Sequence, residues 1–142
     1  MKLDEDTHLF LLDLPDGIVP KARARVTKNG TFHSRPYVRS QSELSWMLRR
    51  QHHTPKIQGG TWRVQIFLEG KQRRGGDADN IFGSVADALQ KADVLDKDNL
   101  VRIPSIGFQF RHTKRSPRAI LKLQRWSPVQ WPDFDSIFEM HL

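Results

Sequence analysis

The 142-residue chain contains no cysteine. That absence excludes disulfide scaffolds, thiolate zinc sites, iron–sulfur ligation and cysteine nucleophiles. Long apolar runs are missing as well: nothing approaches the roughly 20 residues needed to cross a bilayer. Residues 1–6 are acidic and lack the basic-then-apolar pattern of a signal peptide. A cytoplasmic protein with no membrane partner is the simplest expectation. Hydrophobic residues are 37% and charged residues 27%, lean but sufficient for one core. The length suits one ordinary domain.

Acid is scarce in two stretches. Residues 19–75 carry thirteen Lys/Arg against two Glu, and residues 101–125 carry seven Lys/Arg and no acid. Between them, residues 76–100 hold six Asp and two Lys, an island of net charge −4 in a chain of net charge +7. A basic surface attracts a polyanion, of which nucleic acid is the commonest. A well-solvated surface would explain the basic stretches but not the island. Carboxylates placed among phosphate contacts make sense when cations sit between the two.

The hydrophobic pattern predicts an α/β (α+β) domain over residues 1–125, a mixed β-sheet with two main helices in the order β-β-β-α-β-α-β-β. Strands are expected at residues 10–12, 21–26 and 31–32, with Lys28, Asn29 and Gly30 as a hairpin turn. A helix is expected from Pro36 to about His52, then an alternating strand through Trp62, Val64, Ile66 and Leu68. A second helix runs from about Asn80 to Ala92, with Ile81, Val85 and Leu89 on one face and Asp79 as its cap. Residues 100–103 and 107–110 read as strand interrupted by Pro104, and residues 119–123 as the last strand. Residues 126–142 form a tail, docked or partly disordered.

Asp77 and Asp79 end a loop and open the second helix. In extended backbone, residues two apart point to one side, and two converging carboxylates suit Mg²⁺, a hard cation that prefers oxygen ligands. The helix amino terminus favours a phosphate nearby. A third acid, Asp98, is within reach. A helix of about thirteen residues rises about 20 Å, and six extended residues return about the same distance. Asp98 could serve this site or a neighbouring subunit's. Taken singly, Asp77 and Asp79 also read as a loop plus a helix cap, and Asp93, Asp96 and Asp98 as a solvated turn. The stretch is not an EF-hand loop, since Phe82 stands where that motif needs Gly.

Asp77-Ala78-Asp79-Asn80, followed by Asp87-Ala88-Leu89 and Val94-Leu95-Asp96-Lys97-Asp98, resembles the RusA family of Holliday junction resolvases (crossover junction endodeoxyribonucleases). The earlier stretch Val19-Pro20-Lys21-Ala22-Arg23-Ala24-Arg25 resembles the family's basic amino-terminal segment. The similarity spans roughly residues 14–124. It implies a phage- or prophage-associated bacterial enzyme that cleaves four-way DNA junctions as a homodimer. It also implies Mg²⁺, with Mn²⁺ as a substitute, and three essential Asp, which by position are Asp77, Asp79 and Asp98. Asp87 matches as well, on the helix, where a structural role is open. One position departs: many members carry a Lys three residues after the Asn, and here it is Gly83. Arg73, Arg74, Lys91 or Lys97 could stand in.

The expected chemistry is phosphodiester hydrolysis, with Asp77, Asp79 and Asp98 gathered in one pocket as metal ligands. Lys21, Arg23, Arg25, Arg73, Arg74 and Lys97 would contact backbone phosphates, and Arg111, Lys114, Arg115 and Arg118 would extend the footprint. His33, His52, His53 and His112 lack metal-ligand spacing and read as surface residues. Phe32 and Tyr37 could stack on bases, but core or dimer packing suits them better. The alternative from another class is a non-catalytic basic nucleic-acid-binding protein. A less selective nuclease acting on flaps or forks is a third reading.

Overall fold

The computed structural model describes residues 2–4, 7–21, 25–52, 57–72, 77–126, 136 and 139. Within them the elements are β1 (Lys2–Asp4), β2 (Thr7–Asp13), β3 (Arg25–Thr27), β4 (Gly30–Phe32), α1 (Arg35–Gln51), β5 (Trp62–Gly70), α2 (Ala78–Lys91), β6 (Ser105–His112) and β7 (Arg118–Arg125). The main sheet has five strands in the order β1-β2-β7-β5-β6, and β3 and β4 form a separate hairpin. Among the described strands only β5 and β6 pair in parallel, joined across α2 as a βαβ unit. This is the expected mixed sheet with two helices, plus the short edge strand β1.

Alternation along β5 builds the core. Trp62, Val64, Ile66 and Leu68 are buried on the helix-covered side, joined by Ala119, Leu121 and Leu123 of β7 and Phe10 and Leu12 of β2. From the helices come Leu44 and Leu48 of α1 and Ile81, Val85 and Leu89 of α2. Each of the larger apolar side chains contributes about 1.5–3 kcal/mol through burial. The other face of the sheet is open: Leu11 pairs with Ile120, which pairs with Phe67, and all three are exposed. A groove of about 920 Å³ lies on that face, and none of Asp77, Asp79 or Asp98 lines it.

The helices are fastened to each other and to the sheet by polar side chains. Ser34 caps α1 by accepting from the Tyr37 N–H at 3.4 Å. Gln41 donates to the Ser84 carbonyl at 2.8 Å, and Arg49 donates to the Lys91 carbonyl at 3.0 Å, satisfying an end group of α2. Gln51 makes paired bonds to the Leu11 backbone at 2.8 and 2.7 Å, covering part of the open edge of β2.

Three expectations change. Residues 100–103 are not strand: Arg102 and Ile103 both donate to the Asn99 carbonyl, at 3.1 and 2.8 Å, which closes a turn and leaves Leu100 82% exposed. In the basic segment at 21–26, residues 22–24 lie outside the described residues and β3 covers Arg25 and Val26; Lys21 is not strand and bonds through its N–H to the Asn80 carbonyl at 2.9 Å, on α2. The cap position of α2 is Asp77, not Asp79, which already lies in the first helical turn. Alternation along extended chain therefore does not place Asp77 and Asp79 on one side. The proposed tail beyond Trp126 lies outside the described residues except for Ser136 and Glu139.

Candidate active site

The first turn of α2 lies beside a strap formed by residues 17–21. Gly17 turns the chain with φ of +79°, a conformation open to glycine. Gln72 then grips Ile18 from both sides: its Oε1 accepts from the Ile18 N–H at 2.8 Å and its Nε2 donates to the Ile18 carbonyl at 2.7 Å. Ser84 of α2 donates to the Val19 carbonyl at 2.5 Å. With the Lys21–Asn80 backbone bond, these contacts lay the strap along α2.

The acids of this region divide into paired and unpaired. Asp87, in the middle of α2, is gripped twice: Lys21 Nζ lies 3.0 Å from its Oδ2, and the Tyr37 hydroxyl donates to it at 2.5 Å. Tyr37 is 5% exposed. Burial, the bond to Asp87 and the negative charges of Asp87 and Asp98 push its phenol well above its ordinary pKa. Asp98 therefore lies within electrostatic reach of Tyr37. Asp96 is held by a bidentate Arg102, at 2.6 and 3.0 Å, which keeps its carboxyl below the usual value and raises the guanidinium.

Asp77, Asp79 and Asp98 are exposed, and among the described residues none of them joins an ion pair. Asp77 makes no capping bond through its side chain, so its oxygens remain uncommitted. Asp98 is brought back toward the helices because the chain reverses after α2. Asp93 adopts φ of +59°, the N–H groups of Val94 and Leu95 return to the Leu89 carbonyl, and both side chains are buried. Among the described residues, however, no group of three or more His, Asp or Glu side chains is close enough to hold a metal ion. The expected gathering of three carboxylates is absent as a pre-built cage. The donors still suit a hard divalent cation, which binds through one or two carboxylates while water and substrate phosphate complete its shell.

The expected phosphate contacts scatter. Lys97, Lys114 and Arg115 are exposed. Arg111 and Arg118 both bond Glu69 on the open face of the sheet, and these bonds, Arg111's first, hold the Glu69 carboxyl below its usual value. Lys21 is committed to Asp87. Arg23, Arg73, Arg74 and the side chain of Arg25 lie outside the described residues. Sequence reasoning missed that Lys21, Asp87 and Tyr37 form one cluster. The available signal was Gly83, a helix-interior glycine one turn from both Asp79 and Asp87.

The opening of α2 offers uncommitted carboxylates beside the strap that carries Lys21, and a family match over most of the chain makes the protein an endodeoxyribonuclease. Residues 15–124 match the family described as endodeoxyribonuclease RusA, well over half the chain. The chain belongs to the RusA family, whose nucleases generally depend on a divalent metal. A search of curated proteins finds no match to it. Among the described residues, no helix is long and apolar enough to cross a membrane.

Proposed function

We propose that this chain resolves Holliday junctions by paired phosphodiester hydrolysis in DNA recombination and repair, acting in the cytoplasm as a homodimer with Mg²⁺ or Mn²⁺. The observation that carries the reading is the set of uncommitted acids, Asp77, Asp79 and Asp98, inside the segment that matches the family. These three would hold the cation, Asp98 in its own subunit or the partner's. When bound, the cation acidifies water and offsets charge on the phosphoryl oxygens. Water oxygen bonds to phosphorus and releases one proton to solvent as the P–O3′ bond breaks; the electron pair leaves on O3′, which takes a proton from solvent. Lys21, Arg23, Arg25, Arg73, Arg74, Lys97, Arg111, Lys114, Arg115 and Arg118 would bind backbone phosphates, giving affinity with strong salt dependence. Two symmetric cuts need two sites, which a two-fold dimer supplies. Residues 1–125 would form the nuclease domain and 126–142 a tail.

The test is a labelled mobile four-way junction incubated with and without Mg²⁺. The parent should nick opposite strands symmetrically only with metal, and Asp79→Asn should lose about 100-fold or more in rate. Parental cleavage by Asp79→Asn would overturn the assignment. The competing reading is a non-catalytic nucleic-acid binder. It requires metal-independent binding and no cleavage.

A further inference from the structure

We propose that Lys21 is the lysine that contacts the scissile phosphate in this site, delivered from the strap and held ready by Asp87 and Tyr37 as positioning residues. This inference rests on the nuclease reading above.

Asp79, Gly83 and Asp87 follow one another at intervals of four, so they share one stripe of α2. Lys21 enters that stripe from outside. Its N–H is fixed to the Asn80 carbonyl at 2.9 Å, and its stem then runs across Gly83 to Asp87. A Cβ added at position 83 would stand 3.2 Å from Lys21 Cδ and 3.6 Å from its Cβ, so the missing side chain is the space through which the stem passes. The ammonium lies 3.0 and 3.2 Å from the two Asp87 oxygens, yet the Lys21 side chain stays 45% exposed. An ammonium has three donors, so Asp87 does not exhaust it. Asp87 is itself fixed by the Tyr37 hydroxyl, which donates at 2.5 Å to Oδ2, the oxygen nearer the ammonium. A cation with its stem packed, its carboxylate partner anchored and a donor facing solvent is preorganised for an anion. The anion available beside acids that hold a divalent cation is the phosphodiester itself.

The experiment compares single-turnover cleavage of a four-way junction in Mg²⁺ with junction affinity in EDTA. Lys21→Met keeps the aliphatic stem over Gly83 and removes the charge. Its cleavage rate should fall about 100-fold, while metal-free affinity changes by less than about threefold. The double variant Lys21→Ala/Gly83→Lys, which removes the stem and places an ammonium in the vacated space from the helix side, should regain about tenfold of the loss. Tyr37→Phe should slow the parent but not slow Lys21→Met further, since it acts through Lys21. Thermal melts establish that each variant is folded. The proposal is overturned if Lys21→Met cuts at the parental rate, if its affinity falls by the same factor as its rate, or if the folded double variant regains nothing. An active parent with an unaffected Lys21→Met sinks this proposal alone. A parent that cuts no junction in Mg²⁺ or Mn²⁺ sinks the nuclease reading and this proposal together.

Discussion

One helix carries the same residue in two opposite circumstances. At the start of α2, Asp77 and Asp79 are exposed, and among the described residues they have no ion-pair partner; Asp87, two turns further on, is gripped by a lysine and a buried tyrosine. The contrast repeats in the loop that follows, where Asp96 is locked to Arg102 while Asp98 is open. A carboxylate already neutralised by protein groups has little left to offer a cation. An exposed one retains its oxygens, and repulsion between neighbouring acids is relieved when a cation arrives. The comparison separates acids left open from acids held by protein groups, which residue type alone cannot do.

The sharpest way to break this division is to treat both ends of α2 alike. Asp79→Asn should lose about 100-fold in cleavage rate and leave the melting temperature unchanged or slightly raised. Asp87→Ala should do the reverse in stability. It strands the Tyr37 hydroxyl without an acceptor in a 5% exposed position, a loss of about 1–3 kcal/mol. For a chain of this size that lowers the melting temperature by roughly 3–10 °C. A melt of Asp87→Ala indistinguishable from the parent would remove its structural role.

A spectroscopic readout sharpens the same point. Tyr37 is the single tyrosine of the chain, so absorbance of tyrosinate reports on it alone. Its folded pKa is raised above the ordinary value of 10.0, so the stability it contributes is present below that pH and is lost as pH climbs through the folded value. The folded protein should show little tyrosinate at pH 10, and Asp87→Asn, which removes a charge, should bring ionisation to lower pH. In the loop the sign is opposite. Arg102 depresses Asp96 below 3.8, so that contribution is complete above this pH and disappears as pH falls through the lowered value. Arg102→Ala should therefore flatten the acid limb of a stability–pH curve, the smallest of these effects because the pair is solvent-exposed. An unchanged acid limb would show that Arg102 does not hold Asp96 in solution.

Local pattern made much of the architecture legible. The alternation of β5 and the four-residue spacing of Ile81, Val85 and Leu89 each follow from burying one face, and both elements occur where that pattern places them. Lys28 and Asn29 form the hairpin turn because Gly30 tolerates φ of +124°. Residues 100–103 misled because Leu100, Val101 and Ile103 look like strand, whereas two N–H groups fold back to Asn99. In the site, the acids stood out by composition and spacing. Their division into paired and unpaired did not, because Lys21 meets Asp87 across 66 residues of sequence and Tyr37 meets it across 50. Those meetings depend on how Gln72 and Ser84 dock the strap, a tertiary matter that no local window contains.

The central claim is that the exposed acids, and not the paired one, hold the divalent cation. It is tested most directly by Mn²⁺ paramagnetic resonance on the protein bound to a junction made uncleavable with phosphorothioates, comparing the parent with Asp79→Asn and Asp87→Asn. Asp79→Asn should abolish or sharply weaken the protein-dependent Mn²⁺ signal while Asp87→Asn retains it. A signal that survives in Asp79→Asn and vanishes in Asp87→Asn would contradict the account.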